Sequence, residues 1–134
     1  MVYLDYAATT PLDPEVKTGM ERALAAWGNP SSVHAEGRKA RALLEEARER
    51  LAGLLGCRPR EIVFTAGGSE ADALAIMGYA LAKGKGHLIT TQVEHSSVLG
   101  AMKTLERLGF SVTYVKPDSY GMIYPEQVAE AVRR

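Results

Sequence analysis

Three short segments of this 134-residue chain carry side chains whose types and spacing could do chemistry. The first is Thr65-Ala66-Gly67-Gly68-Ser69-Glu70-Ala71-Asp72, between an apolar run of strand type and a helical pattern. Its glycines let the backbone approach a ligand closely. The free N–H groups and the positive dipole end of the helix that follows favour an anion. Ser69-x-x-Asp72 also fits a capping box, so the segment reads either as a phosphate turn or as a well-capped helix after a glycine turn. It is not a P-loop, because no Gly-Lys-Ser/Thr follows, and the dinucleotide fingerprint G-x-G-x-x-G is absent. The second segment is Val93-Glu94-His95-Ser96-Ser97, at the C-terminal end of an expected strand, where open α/β sheets place ligands. His95 could stack on an aromatic ring or move protons near neutral pH. It could equally be a turn histidine, with Ser96 or Ser97 capping the next helix. The third, Asn29-Pro30-Ser31-Ser32-Val33-His34, reads locally as a polar connection between helices. His34 and His87 call for no functional role, and Cys57, which follows the helix-stop Gly56 with no His nearby in sequence, reads as a structural thiol. No spacing of His, Cys, Asp or Glu suggests a metal site.

The elements that must position these residues follow from periodicity. Met1 to Pro11 reads as extended. Asp13-Pro14 predicts a helix start, and Val16, Met20, Ala23, Leu24 and Trp27 mark a buried stripe ending at Gly28. A second helix is predicted from about His34 to Leu55. Its apolar face is Ala40, Leu43, Leu44, Ala47, Leu51, Leu54 and Leu55, its other face alternates Arg and Glu, and Gly56 is its stop. Residues 61–65, 87–91 and 110–115 read as strands. Helices follow them through Leu74, Met77 and Leu81, then from about Ser97 to Leu108, then from Pro125. Two helices followed by strand–helix three times over imply a parallel sheet with helices on its faces, a three-layer α/β arrangement. The expected organisation is residues 1–60 as an extended segment with two helices and residues 61–134 as an incomplete α/β domain.

Composition narrows the function. Sixteen basic and sixteen acidic side chains leave no net charge, which argues against a dedicated nucleic-acid binder. No apolar run would span a bilayer, and the N-terminus has no signal-peptide pattern. Cys57 is the only cysteine, so no internal disulfide can form and a reducing, cytoplasmic setting is expected.

Together these segments resemble the cysteine desulfurases, within the class V aminotransferase group. Tyr3-Leu4-Asp5-Tyr6-Ala7-Ala8-Thr9-Thr10-Pro11 is similar to that family's opening, and Gly28-Asn29-Pro30-Ser31-Ser32-Val33-His34, with Gly37 and Ala40, to its next signature. Glu61 to Thr65 with Gly67-Gly68-Ser69-Glu70-Ala71-Asp72 resembles its phosphate-loop segment, and Glu94-His95-Ser96-Ser97-Val98 its ring-stacking segment. The wording is closest to the subgroup that supplies sulfur for iron–sulfur clusters. The resemblance implies a partial PLP-transferase fold of type I: N-terminal helices plus the first three strand–helix units of a large domain. It implies pyridoxal 5′-phosphate (PLP) as cofactor, held at Gly68 and Ser69 and stacked by His95, which is proposed to assist proton transfer. It further implies L-cysteine as substrate, a sulfur-acceptor protein, a homodimer whose active-site entrance is lined by the stretch around Ala7 to Thr10, and neither nucleic acid nor membrane as partner. Ala73 departs from the family, which usually has Asn there; this bears on local hydrogen bonding rather than on the fold.

In that family the lysine that tethers PLP, the carboxylate at the pyridine nitrogen, the sulfur-accepting cysteine and the arginine for the substrate carboxylate all come later than residue 134. None of Lys17, Lys39, Lys83, Lys85, Lys103 and Lys116, nor Cys57, lies in a matching motif. The related fold would also leave residues 61–65 without a neighbouring strand in this chain. The expectation is therefore an N-terminal piece, truncated or split, inactive alone and weak toward PLP. The alternatives are a non-catalytic α/β phosphate-binding or interaction module, another class V enzyme, or a flavodoxin-like or Rossmann-like nucleotide binder, the last disfavoured by its missing fingerprints.

Overall fold

A computed structural model describes residues 2–132. Contacts divide the chain between Val63 and Phe64 into two units, each with its own interior.

The first unit holds helices α1 (Pro14–Leu24) and α2 (Ala35–Leu55) and a 3₁₀ turn at Pro59–Glu61. Asp13 caps α1 as the sequence requires, accepting from the Glu15 N–H at 2.8 Å. The helix stops at Leu24, short of Gly28. Its expected stripe is not buried: no residue of α1 is, and Trp27 is 78% exposed. The periodicity is real, but no described element covers that face. On α2 the buried positions are Gly37 and Ala52, while Leu54 and Leu55 of the expected apolar face stand in solvent. Gly56 ends α2 at φ 67°, a left-handed position that glycine takes without steric cost.

The joint between α1 and α2 accounts for the Asn29–His34 motif structurally. Asn29 closes the turn by accepting the Ser31 N–H on its side chain and the Ser32 N–H on its carbonyl, both at 2.9 Å. His34 caps α2, its Nδ1 accepting the Gly37 N–H at 3.3 Å. A Cβ at Gly28 would lie 2.1 Å from the Glu36 carbonyl oxygen, and one at Gly37 would lie 2.4 Å from that of Ser32. The two backbones meet where side chains cannot fit.

The second unit contains α3 (Gly68–Ala73), a π turn at Leu74–Gly78, α4 (Tyr79–Lys83), β1 (His87–Thr91), α5 (Ser96–Arg107), β2 (Ser111–Val115) and α6 (Pro125–Ala131). β1 and β2 pair in parallel, from His87 opposite Ser111 to Thr91 opposite Val115. The Gln92 N–H carries the ladder one residue further to the Val115 carbonyl at 3.0 Å. His87 Nε2 lies 2.8 Å from Thr113 Oγ1 on the neighbouring strand. α5 packs on both strands, burying Ala101, Met102 and Leu105; Leu105 is fully enclosed.

The α/β class and the parallel pairing therefore hold, but among the described residues two strands form rather than three. Residues 61–65 are not a strand. The Ile62 N–H is spent on the Pro59 carbonyl, and the Ile62 carbonyl accepts the Arg48 guanidinium. Local partners take the groups a ladder would have used.

Candidate functional site

The candidate site lies within the second unit, where the start of α3 and the loop after β1 come together. Gly67 is the N-cap of α3, with extended backbone and no side-chain cap. The anticipated Ser69–Asp72 capping box does not form, because the cap position falls on Gly67, where no side chain can accept. Instead, Glu70 Oε2 takes the Ala66 N–H at 2.7 Å, and the Thr65 hydroxyl donates to the Gly67 carbonyl at 3.1 Å. These bonds brace the loop and leave the first-turn N–H groups of α3 without a side-chain acceptor. A Cβ at Gly67 or Gly68 would meet no atom within 4 Å, so the space before this turn is open. Ser69 is exposed beside it.

His95 ends the loop after β1 as the N-cap of α5. Its Nδ1 lies 2.7 Å from Ser97 Oγ and 3.2 Å from the Ser97 backbone nitrogen. The Ser97 hydroxyl donates in turn to Asp72 Oδ2 at 2.6 Å. Thr91 Oγ1 donates to Glu94 Oε1 at 3.0 Å, holding the approach to His95. The His95 ring itself is exposed.

This chain of contacts joins the two motifs. Asp72 stands three and four residues beyond Ser69 and Gly68, on one face of the helix. The face that reaches α5 through Asp72 therefore also carries the open turn. Asp72 and Ser97 are the residues that sequence reasoning assigned to the wrong work. The sequence offers each of them only a local role as a helix cap, whereas their meeting is tertiary. Half-buried Ala73 follows Asp72, at the position where the resemblance expects Asn.

What this arrangement offers chemically is an amide-rich, uncapped helix start, a free hydroxyl-bearing side chain beside it and a braced imidazole. That set suits an anion attached to a flat ring. The family profile described as "Aminotransferase class-V" matches residues 2–134. The chain belongs to the class V aminotransferase family. Enzymes of this family are in general PLP-dependent.

Among its class V relatives, the chain is 48% identical over 137 residues to "Cysteine desulfurase IscS" of Dictyoglomus turgidum, a match covering 99% of this chain and 34% of that one. Among solved structures it superposes on "SspA in complex with cysteine" with a TM-score of 0.87 at 46% identity, covering 98% of this chain and 39% of that one. It matches "NifS-like protein" with a TM-score of 0.84 at 38% identity, covering 93% and 35%. The chain thus spans little more than a third of the length of these relatives. No helix among the described residues is long and apolar enough to cross a membrane.

Proposed function

We propose that this class V chain supplies the phosphate turn and the ring-facing histidine of a PLP-dependent cysteine desulfurase. Such an enzyme converts L-cysteine to alanine and leaves the sulfur as a persulfide for iron–sulfur cluster assembly. The observation that carries this reading is the Asp72–Ser97–His95 bridge, which ties the imidazole to the helix bearing Gly68 and Ser69. The cysteine desulfurase names among its relatives, and the cysteine in the SspA structure's title, support the substrate.

PLP, when bound, supplies the electron sink on which the chemistry runs. The residues of this chain do the holding. The N–H groups of Gly68 and Ser69 and the Ser69 hydroxyl take the phosphate oxygens, helped by the positive end of the helix. His95 offers a ring face for stacking and a nitrogen for moving a proton. About three charge-assisted hydrogen bonds at roughly 2 kcal/mol each, with about 1 more from the dipole, give a gross gain near 7 kcal/mol. Association costs at least about 4 kcal/mol, which leaves at most about 3 kcal/mol and a dissociation constant no tighter than several millimolar. Alone, the chain holds PLP weakly and does not turn over. The tethering lysine, the pyridine-nitrogen carboxylate, the sulfur-accepting cysteine and the substrate arginine would come from outside residues 1–134. A second copy of the chain and a sulfur-acceptor protein are the partners of this reading.

A chimera tests this. Residues 1–134 are fused to the remaining two-thirds of the Dictyoglomus turgidum relative and assayed with L-cysteine for alanine and sulfide under reducing conditions. The expected result is activity that needs PLP and falls at least tenfold in S69A. A folded, PLP-loaded chimera that forms no alanine would overturn the substrate reading, and one that folds without taking up PLP would favour a non-catalytic phosphate-binding module.

A further inference from the structure

The His95 contacts contain a conflict of hydrogens. A serine hydroxyl has one proton to donate, and an ionised carboxylate only accepts. Ser97 Oγ lies 2.6 Å from Asp72 Oδ2, so its proton is spent on Asp72. The same oxygen faces His95 Nδ1 at 2.7 Å and must accept there, which places a proton on Nδ1. A proton on Nδ1 gives up the cap on the Ser97 N–H at 3.2 Å, the longer of the two contacts and one between a fixed donor and the ring; the alternative keeps that cap, with Nδ1 accepting. It would then set two lone pairs against each other at 2.7 Å.

We propose that Asp72, acting through Ser97, is a positioning residue that holds His95 as its Nδ1–H tautomer and leaves Nε2 as the nitrogen free to take a proton. Its use in catalysis rests on the cofactor reading above, whereas the tautomer follows from contacts of the chain alone. The logic is that of a carboxylate orienting an imidazole, with a hydroxyl inserted between the two. When Nε2 accepts a proton, the new charge lies one hydroxyl away from the Asp72 carboxylate. Asp72 touches neither cofactor nor substrate in this scheme. Half-buried Ser97 keeps the link from being a freely rotating surface contact.

Nitrogen-15 NMR of the chain labelled at histidine reads the tautomer directly, at a pH above the histidine range and with no cofactor added. The chain has three histidines, His34, His87 and His95. The expected result is Nδ1 of His95 at the protonated end of the shift range and Nε2 at the unprotonated end. In D72A the Ser97 hydroxyl turns to Nδ1, and in S97A the backbone N–H caps it. Both variants should exchange the two positions while the His87 signals stay in place. A wild-type His95 protonated at Nε2 overturns the proposal without recourse to any variant, and so does a folded D72A that keeps the wild-type pattern. Failure of phosphate-ester binding with this pattern intact would remove the cofactor reading and leave the positioning role standing.

Discussion

Gly37 and Gly53 lie on the same helix, and the same substitution should act on them with opposite sign. At Gly37 a Cβ would sit 2.4 Å from the Ser32 carbonyl oxygen, 2.7 Å from that of Asn29 and 2.7 Å from Ser32 Cβ. These fall roughly 1 Å short of the ~3.5 Å at which heavy atoms pack without repulsion. Two of the three neighbours are main-chain atoms in a turn already closed by the Asn29 hydrogen bonds, so no side-chain rotation relieves the clash. Overpacking of this kind costs about 1–3 kcal/mol. Pushing α2 away also stretches the His34 cap on the Gly37 N–H, worth about 1 kcal/mol. The helical preference of Ala over Gly returns about 1 kcal/mol, for a net loss near 2 in G37A. At Gly53 a Cβ meets nothing within 4 Å, so only the gain of about 1 kcal/mol remains in G53A. The two variants should differ by about 3 kcal/mol. With a urea slope of roughly 1–3 kcal/mol per molar, their midpoints separate by at least about 1 M in far-ultraviolet circular dichroism. A G37A midpoint at or above that of G53A would refute the reading of the Gly28–His34 signature as a backbone-contact joint.

Two further predictions concern the second unit. Leu105 is its largest fully enclosed side chain, so L105A should cost about 2–5 kcal/mol and strip hydrogen-exchange protection from β1 and β2 together; strands that keep wild-type protection would contradict α5 as their support. Asp118 accepts the N–H groups of Met122 and Tyr120, then the Tyr124 hydroxyl, and these bonds hold its carboxyl below the ordinary aspartate range. A lowered folded value means the turn is supported in full above the unfolded value of about 3.9 and loses support as pH falls through the folded one. Tyr120 and Met122 amide signals should therefore titrate with a midpoint below 3.9, and a midpoint at or above it would contradict these contacts.

Local signals written in one residue and its neighbours were legible. Asp13-Pro14, Gly56 and Pro125 place helix boundaries within a few residues, because caps and stops are short-range chemistry. The ladder between 87–91 and 111–115 could be read because both runs are rich in β-branched residues and are separated by one helix. What was not legible depends on what covers a surface. The stripe of α1 and the Leu54–Leu55 end of α2 carry the right period, yet nothing among the described residues buries them. Residues 61–65 have strand composition, which does not reveal a partner; the family resemblance does, leaving them no neighbouring strand in this chain, and they form none. At the site, the glycine turn and His95 stood out by type. The Ser69–Asp72 spacing suggested a cap that the structure replaces with a bond from Asp72 to Ser97, twenty-five residues away.

The central claim is that one ligand spans the Gly67–Ser69 turn and His95. Its most direct test is an NMR titration with pyridoxine 5′-phosphate, which lacks the aldehyde and so cannot condense with surface lysines. Millimolar, saturable shifts are expected in the amides of residues 67–70 together with the His95 ring, with shifts confined to residues 67–70 under inorganic phosphate and loss of both in S69A. Perturbations centred elsewhere, such as around Lys83 and Lys85, with residues 67–70 and His95 unmoved, would contradict it.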